Sequence, residues 1–410
     1  MTRYDERRRH PTSSGAGIVN LPSRSFIHTS LPLLSLVIGC GSPESIHSSR
    51  SVDSAGVTIV TNKEPSWKPA DRWTVESNAT MSAGRDGTQG AHTLYRVAGA
   101  LRLASGTIVA ADDGNKQLSF YSSQGSYLYS TGREGSGPGE FRSITWIGRY
   151  GEGRIAAFDH RTQRLSIFDT TGSFTRSMTL QSDNSIPSFA NLEGIAANGS
   201  LVVSTLAPPA GRNQGLVRLT QRLFNYGPSA IPAAEMGTFP GPEIYVSGGG
   251  GGGGFEQAIF PRFTTYRVAD NSIYVGSNDI YEIRVLDLTG TLHTIVSREH
   301  EPVPVTQRHA ELRVDRSHRQ SQAPLPRFFP AYRSFDLDAE GNIWVEEYPI
   351  PGLLEQWRSV FDPTGNYLGQ IAIPTGLQIL DIGSDYVLGI VRDDLDIEQI
   401  RLHRINKPCA

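Results

Sequence analysis

Cysteine is nearly absent from this chain of 410 residues, which contains only Cys40 and Cys409. Two cysteines cannot build the disulfide framework of a small secreted domain, nor the cysteine clusters of a structural zinc site. We expect no intrachain disulfide, so the packing of a hydrophobic core has to stabilise the fold.

An excess of charge of one sign is also missing. The chain has 38 basic and 41 acidic side chains, which gives a formal net charge of −3, and both signs are spread along the sequence. A nucleic-acid groove or a polybasic membrane surface requires a cluster of positive charge. We therefore predict that the protein does not bind nucleic acid.

Long apolar runs and common catalytic motifs are absent as well. No run reaches the roughly 20 apolar residues of a membrane-spanning helix, and the spacings H-E-x-x-H, H-x-x-E-H and G-x-S-x-G do not occur. The glycine-rich residues 132–141 are not followed by Lys-Ser or Lys-Thr, which argues against a nucleotide loop. The sequence therefore names no reaction.

A short apolar stretch, residues 31–40, ends in a small residue and Cys40. It has the character of a secretory signal, and residues 37–40 resemble the bacterial lipobox, which implies lipid attachment at Cys40. We predict a signal segment at 1–40 and a flexible tether at 41–54; the alternative is a buried strand. Residues 1–20 fit a signal poorly, so a later start at Val19 or Leu21 is the second alternative.

Residues 132–141 repeat, in altered form, residues 84–90, and the two copies lie 48 positions apart. This distance matches the length of a four-stranded propeller blade. Further blocks repeat with the same period. A turn and an apolar strand recur at 106–112, 153–159, 271–277 and 341–347, and a second strand ending in glycine recurs at 118–125, 165–172, 283–290 and 358–365.

These blocks predict an all-β fold, a six-bladed β-propeller with four antiparallel strands per blade at residues 55–405 and a tail at 406–410. Insertions are expected near 227–262 and 299–331, with a short helix near 305–320 that Thr306 caps. The last blade lacks its fourth strand, so a strand within 57–82 should close it. Residues 57–61 are the most strand-like candidate, and 79–82 are the aligned one.

At these motifs the chain resembles the bacterial six-bladed, NHL-like β-propeller lipoproteins over residues 55–405. The resemblance implies the fold. It does not choose an activity, because related propellers include protein-binding scaffolds as well as metal-dependent lactonases and lyases.

Three groups of residues are candidates for function. Aspartates recurring at fixed blade positions, namely Asp112, Asp159, Asp169, Asp287 and Asp362, are predicted to cap turns. Acids on or near inner strands are candidate channel or metal ligands, namely Glu193, Asp336 and Asp381, with Arg102, Arg149 and Arg333 as counter-charges. Loop residues that suit a recognition surface are Arg142, His160, Arg161, Arg333, Tyr348 and Trp357.

The sequence as a whole favours an exported, lipid-anchored propeller that binds a protein or a small ligand without catalysis, as a monomer and without a cofactor. The alternative is a metal-dependent hydrolase or lyase that holds calcium or zinc in the channel. Ser42 resembles an outer-membrane sorting signal, so we expect the periplasmic or outer side of a bacterial outer membrane, with a lipid anchor as the membrane contact.

Overall fold

The computed structural model of the chain describes residues 49–84, 93–151, 153–182, 190–207, 214–247, 254–313 and 323–408. The described residues all belong to one compact unit. The predicted signal segment with Cys40, the glycines 248–253 and Cys409 lie outside the described residues. None of the helices in the described ranges has the length and apolar character needed to cross a membrane.

The described chain begins with four short strands: β1 (Ser49–Ser54), β2 (Val57–Asn62), β3 (Thr74–Val75) and β4 (Met81–Ala83). Residues 49–54 were expected to be part of a tether but form β1. The reason is the two-residue turn Ala55–Gly56, whose positive φ angles of 54° and 84° suit a tight hairpin and pair β1 with β2.

Two four-stranded antiparallel sheets follow, each with its strands in chain order. The first contains β5 (Val97–Arg102), β6 (Ile108–Asp112), β7 (Gln117–Tyr121) and β8 (Tyr127–Thr131). The second contains β9 (Ile144–Tyr150), β10 (Arg154–Asp159), β11 (Arg164–Phe168) and β12 (Phe174–Thr179). These strands coincide with the predicted sequence blocks.

The third sheet has five strands: β13 (Asn191–Ile195), β14 (Leu201–Ala207), β15 (Gly215–Tyr226), β16 (Pro232–Ser247) and β17 (Gly254–Gln257). The segment 227–262, expected to be an insertion, therefore contributes two strands to this sheet. A tight turn explains the difference, because Gly227 donates a backbone hydrogen bond to Ile231 and Ala230 donates one to Gly227, which folds β16 back along β15.

The fourth sheet contains β18 (Thr264–Ala269), β19 (Ser272–Ser277), β20 (Glu282–Asp287) and β21 (Leu292–Arg298), and β2 and β1 extend it. Helix α1 (Gln307–Leu312) follows. Thr306 is its N-cap residue, as predicted, and the Thr306 amide donates to Nδ1 of His309. The helix is shorter than the predicted span 305–320, and residues 314–322 lie outside the described residues.

The last two sheets complete the described chain. One contains β22 (Ser334–Leu337), β23 (Ile343–Glu346), β24 (Gln356–Phe361) and β25 (Tyr367–Ile373), and the other contains β26 (Gln378–Ile382), β27 (Tyr386–Arg392) and β28 (Glu398–Asn406). Both β3 and β4 pair with β28. The more strand-like residues 57–61 lie in β2, which instead pairs in parallel with β21.

The core lies between the sheets rather than within one layer. Each sheet shares a buried apolar cluster with the next sheet along the chain, and one cluster joins the last sheet to the first: Tyr386, Leu388 and Ile400 pack with Val97, Ile108 and Tyr121. Strands packed on both faces have to be largely apolar, as the fully buried β6 is up to its last residue, Asp112. The prediction of an all-β chain built from four-stranded antiparallel units is confirmed.

The predicted turn caps are also confirmed. The Asp169 carboxylate accepts the backbone N–H groups of Thr171 and Ser173 at 2.8 and 2.9 Å. Asp287 and Asp362 accept the equivalent pairs in their own turns. Asp112 and Asp159 accept backbone N–H groups at the ends of β6 and β10. These aspartates fix the loops between strands.

Candidate central binding site

One edge strand from each of the six sheets, which we call its first strand, borders a single cavity of about 600 Å³. Each contributes two or more lining residues, from β5, β9, β13, β18, β22 and β26. A first strand is hydrogen-bonded to a neighbour on only one side, so its other edge turns backbone N–H and C=O groups towards the cavity. One such group, the N–H of Arg102, donates to Oδ2 of Asp381 at 3.1 Å.

Each of these first strands also carries one charged side chain. Three are basic and three are acidic: Arg102, Arg149, Glu193, Arg267, Asp336 and Asp381. The acids and Arg267 line the cavity directly. Opposite charges close together in a protein interior stabilise one another strongly, so the pairing among them decides what the cavity can bind.

Asp336 is paired with two guanidinium groups. Its Oδ1 accepts hydrogen bonds from Nε and Nη2 of Arg267 at 3.0 and 2.7 Å, and its Oδ2 accepts one from Nη1 of Arg358 at 3.0 Å. Burial by itself would raise the pKa of Asp336, but the two adjacent cations outweigh it and hold the pKa below its ordinary value. Asp336 is therefore a fixed carboxylate with both oxygens occupied.

Asp381 is paired in the same manner with Arg149. Nη1 of Arg149 donates to Oδ1 at 3.0 Å and Nη2 donates to Oδ2 at 2.8 Å, while the Tyr386 hydroxyl donates to Oδ2 at 2.7 Å. Burial and the neighbouring Asp381 carboxylate raise the pKa of Tyr386, so its hydroxyl stays a donor. The guanidinium of Arg102 lies 4.9 Å from the centre of the Tyr386 ring and completes this group.

Glu193 differs from the two aspartates. Its Oε1 accepts a hydrogen bond from the Ser204 hydroxyl at 2.5 Å, and that hydroxyl accepts one from Nε2 of Gln221 at 2.8 Å. Burial raises the pKa of Glu193 despite the opposing influence of Arg267. Within the described ranges Glu193 has no hydrogen bond from a cation, so it is the carboxyl group of the cavity that is most easily kept neutral.

The predicted channel acids Glu193, Asp336 and Asp381 thus line a single cavity. Of the predicted counter-charges, Arg102 and Arg149 belong to this site, but Arg333 does not: its Nη1 donates to Glu346 at 3.2 Å. Sequence reasoning missed Arg267 and Arg358, the partners of Asp336. Arg267 interrupts an otherwise uncharged strand, as the predicted acids do, and the same signal could have identified it.

The predicted surface residues fall into two groups on different sheets. Backbone N–H groups of Arg142 and Arg161 donate to the Asp159 carboxylate, and His160 lies between them in sequence. Trp357 lies in β24, Arg333 directly precedes β22, and Tyr348 follows β23 in the same sheet. Tyr348 packs 5.3 Å from the ring of Phe329, and Trp357 lines a small pocket beside Tyr348. A role in binding stays a prediction for all six.

A more open groove of about 500 Å³ adjoins the central cavity, since Ala98 and Thr145 line both. The buried acids Asp113 and Glu398 line the groove and are paired with Arg96 and Arg392. Among the described residues, no group of three or more His, Cys, Asp or Glu side chains could hold a metal ion.

Comparison with protein families gives one match. Residues 93–193, which run from the approach to β5 through Glu193 in β13, match the family model DUF5128, described as a 6-bladed beta-propeller. The match covers this region of the chain and indicates the propeller fold there. A search of curated proteins finds no match.

Solved structures with a similar fold include three bacterial proteins. A Bacteroides fragilis protein assigned as exported has 13% identity and a TM-score of 0.47, with 85% of this chain and 99% of that chain covered. A Bacteroides vulgatus member of the duf4221 family has 10% identity and a TM-score of 0.48, with 82% and 99% covered. Agrobacterium tumefaciens regucalcin, a calcium-binding protein, has 12% identity and a TM-score of 0.36, with 80% and 92% covered. At these identities the likeness concerns the fold alone.

Proposed function

We propose that this chain is an exported six-bladed β-propeller that binds a small polar ligand in its central cavity and performs no catalysis of its own. The six sheets are its blades. The buried cluster between the last and first sheets supports a closed ring. The pairing of β4 with β28, in which Met81 lies opposite Leu402 and Ala83 opposite Ile400, supports closure by an N-terminal strand.

The observation that carries the proposal is the composition of the cavity wall. A volume of about 600 Å³ lies within the range of small-molecule sites, about 300–1,000 Å³. The wall combines strand-edge backbone groups from all six blades with polar side chains supplied by five of them. A site assembled from so many rigid strands is preorganised, which favours selective binding.

The charge pairing indicates the kind of ligand. Asp336 and Asp381 already have arginine partners, so a strongly charged ligand would have to displace an internal ion pair to gain its own. Glu193 and the backbone groups at the strand edges can donate hydrogen bonds to an uncharged polar ligand and accept hydrogen bonds from it. No ion pair has to be displaced for this. The cavity therefore suits a polar ligand with little net charge.

The same pairing favours binding over catalysis. A general base or nucleophile has to approach the substrate with a free, suitably activated group. The carboxylates of Asp336 and Asp381 instead accept two or more hydrogen bonds from fixed protein donors.

We propose export and membrane anchoring on the basis of the sequence. The apolar residues 31–40 supply a secretory signal, and Cys40 is the proposed lipidation site. A lipid on Cys40 would hold the propeller at a membrane surface through the segment that precedes β1.

The experiment places a tryptophan side chain in the cavity and compares this variant with the same substitution outside the cavity. Thr145 is exposed and lines the cavity, whereas Thr175 is exposed on the outermost strand β12. Thr145→Trp and Thr175→Trp should therefore differ only in the space they occupy at the site. Binding of a panel of monosaccharides, polyols, nucleosides, amino acids and dicarboxylates is measured by saturation-transfer NMR, together with the metal content of the purified protein.

We expect at least one uncharged class to bind the wild type and Thr175→Trp but not Thr145→Trp. Binding that persists in Thr145→Trp would place the ligand elsewhere. Stoichiometric calcium or zinc in the purified protein, lost in Glu193→Gln, would favour the metal-dependent enzyme instead.

A further inference from the structure

A second, small pocket of about 90 Å³ lies beside the connection between β23 and β24. It shares no lining residue with the central cavity. Tyr348 and Trp357 provide aromatic walls, and Ile350 and Leu353 are among the apolar residues that complete them. The pocket is large enough for one small group and too small for a drug-sized ligand.

The lining of this pocket is acidic. Three carboxylates, Glu346, Glu347 and Glu355, line it against one guanidinium, that of Arg358. Glu346 is paired with Arg358 and Glu347 is paired with Arg298. Glu355 accepts a hydrogen bond from Nε1 of Trp357 at 3.0 Å, and among the contacts of the described residues it has no cationic partner.

The pocket also offers an unused acceptor. Gln356 lines it, and Oε1 of Gln356 is buried without a hydrogen-bond partner in the described part of the chain. A buried carbonyl oxygen without a donor costs free energy, so such a group is typical of a site that a ligand completes. The missing partner has to be a donor.

These features together identify the chemistry of the ligand. An alkylammonium group has three donors and no acceptor, it is attracted to carboxylates, and it is stabilised over the face of an indole ring. The apolar walls suit the methylene chain that carries it. A guanidinium is broader and planar, and the small volume favours the compact ammonium of lysine.

The surroundings point to a protein as the source of that lysine. Leu353 and its neighbour Leu354 are 67% and 81% exposed. Exposed apolar side chains beside a polar pocket are typical of a surface that another protein covers. We propose that this pocket, lined by Tyr348, Glu355, Gln356 and Trp357, binds a lysine side chain of a partner protein whose apolar residues cover Leu353 and Leu354.

The test uses a short peptide with one central lysine flanked by leucines, the same peptide with norleucine in place of lysine, and Nα-acetyl-lysine amide. Binding to the full mature chain is measured by isothermal titration calorimetry. Because a cation–π contact and a charge-assisted hydrogen bond are worth about 1–2 kcal/mol together, we expect the lysine peptide to bind about tenfold more tightly than the norleucine peptide.

Two variants and a control locate the site. Glu355→Gln and Trp357→Leu should each weaken binding of the lysine peptide about fivefold to tenfold. Glu64→Gln, at an exposed glutamate that does not line the pocket, should leave it unchanged. Because Glu355 is exposed, Glu355→Gln should fold normally. A thermal melt that matches that of the wild type checks this.

Three outcomes would overturn the inference. Equal affinity for lysine and norleucine peptides would exclude an ammonium site, and unchanged binding in Glu355→Gln would place the site elsewhere. Equal affinity for the peptide and for Nα-acetyl-lysine amide would show that the pocket takes free amines rather than a partner protein. None of these results bears on the central cavity, whose test uses Thr145→Trp.

Discussion

Arg149 and Asp381 lie 232 positions apart in the sequence, yet both terminal nitrogens of the arginine donate to the two carboxylate oxygens of the aspartate. Arg149 belongs to β9 of the second sheet and Asp381 to β26 of the last, and β5 of the first sheet contacts both of these strands. Nη2 of Arg149 also donates to the carbonyl oxygen of Arg102 in β5 at 2.9 Å. One side chain thus connects three sheets where the last meets the first.

The first prediction concerns this connection. Arg149→Met should lower the free energy of unfolding by about 1–3 kcal/mol, because it leaves the mostly buried carboxylate of Asp381 without its charged partner. Adding Asp381→Asn should recover part of the loss, since the unpaired charge is then removed. Urea denaturation followed by circular dichroism measures all three proteins.

Arg284→Met is the matched control. The Arg284 side chain is 50% exposed and pairs with Glu282 on its own strand, whereas that of Arg149 is 54% exposed and pairs across sheets. A surface pair of this kind contributes at most about 1 kcal/mol. Equal losses in Arg149→Met and Arg284→Met would show that the connection between sheets adds nothing.

The second prediction concerns the N-terminal strands. Deletion of residues 55–83 removes β2, β3 and β4, and with them the strands that pair with β28 and the Trp73 ring that lies 6.2 Å from Trp344. The exposed edge of β28 and the uncovered core should abolish cooperative thermal unfolding.

Truncation to begin at residue 55 is the control for that deletion. It removes only β1 from the described strands, and β1 is an exposed edge strand that contacts β2 alone in its sheet. The truncated protein should melt cooperatively within a few degrees of the full mature chain. If the longer deletion melted equally well, the N-terminal strands would not close the ring.

The sequence revealed the repeat, since turn glycines and apolar strands recur locally, but it did not reveal which strand closes the last sheet. Residues 57–61 have the stronger β-propensity, yet 81–83 lie beside β28. Strand choice depends on which open edge a segment reaches, and local propensity carries no information on that. The short aligned segment was the better guide because it kept its place in the repeat.

The candidate site likewise contains features that the sequence revealed and features that it did not. Glu193, Asp336 and Asp381 stand out as the charged residues of strands that are otherwise uncharged, so they could be found from the sequence. Which cation pairs with which acid could not be found, because a cation is equally plausible on any neighbouring strand. The predicted Arg149 does pair with Asp381, but Arg333 pairs with Glu346, and Arg358 reaches Asp336 from the third strand of its sheet. Pairing across sheets is a property of the assembled fold.

The third prediction concerns the glycine-rich connection between β16 and β17. Replacing residues 248–253 by two residues should change the free energy of unfolding by about 0.5 kcal/mol or less, because closure entropy depends weakly on loop length. The pairing of Ser247 with Gly254 already fixes both ends. Thermal and urea denaturation measure the effect, and a loss of several kcal/mol would show that the glycines are structural.

The fourth prediction concerns export. Cys40→Ser should give protein that no longer partitions with membranes, because the sulfur that would carry the lipid is gone. Cys409→Ser, which changes the other cysteine of the chain, should leave partitioning unchanged. Cell fractionation with detergent phase separation measures both, and a processed Cys40→Ser protein in the membrane fraction would contradict the lipobox interpretation.

The last prediction uses the raised pKa of Glu193. Burial lifts this pKa above its ordinary value of 4.5, so the folded protein keeps a proton that the unfolded chain releases. The stability that this group contributes is complete below pH 4.5 and is lost as the pH rises towards the folded pKa, by up to about 1.4 kcal/mol per pH unit. Glu193→Gln has no such proton to lose, and its amide oxygen can still accept from Ser204.

The free energy of unfolding of Glu193→Gln, relative to wild type, should therefore increase as the pH rises from 4.5, and then level off above the folded pKa. Glu235→Gln is a control in which the pH dependence of the free energy of unfolding should have the opposite sign. The hydrogen bond from Arg222 lowers the pKa of Glu235, so its contribution is present above the ordinary pKa and is lost as the pH falls. Urea unfolding between pH 4 and pH 8 measures both variants. A Glu193→Gln difference that does not depend on pH would mean that the cavity carboxyl ionises as it does in water, and an uncharged Glu193 could then not serve the proposed ligand as a donor.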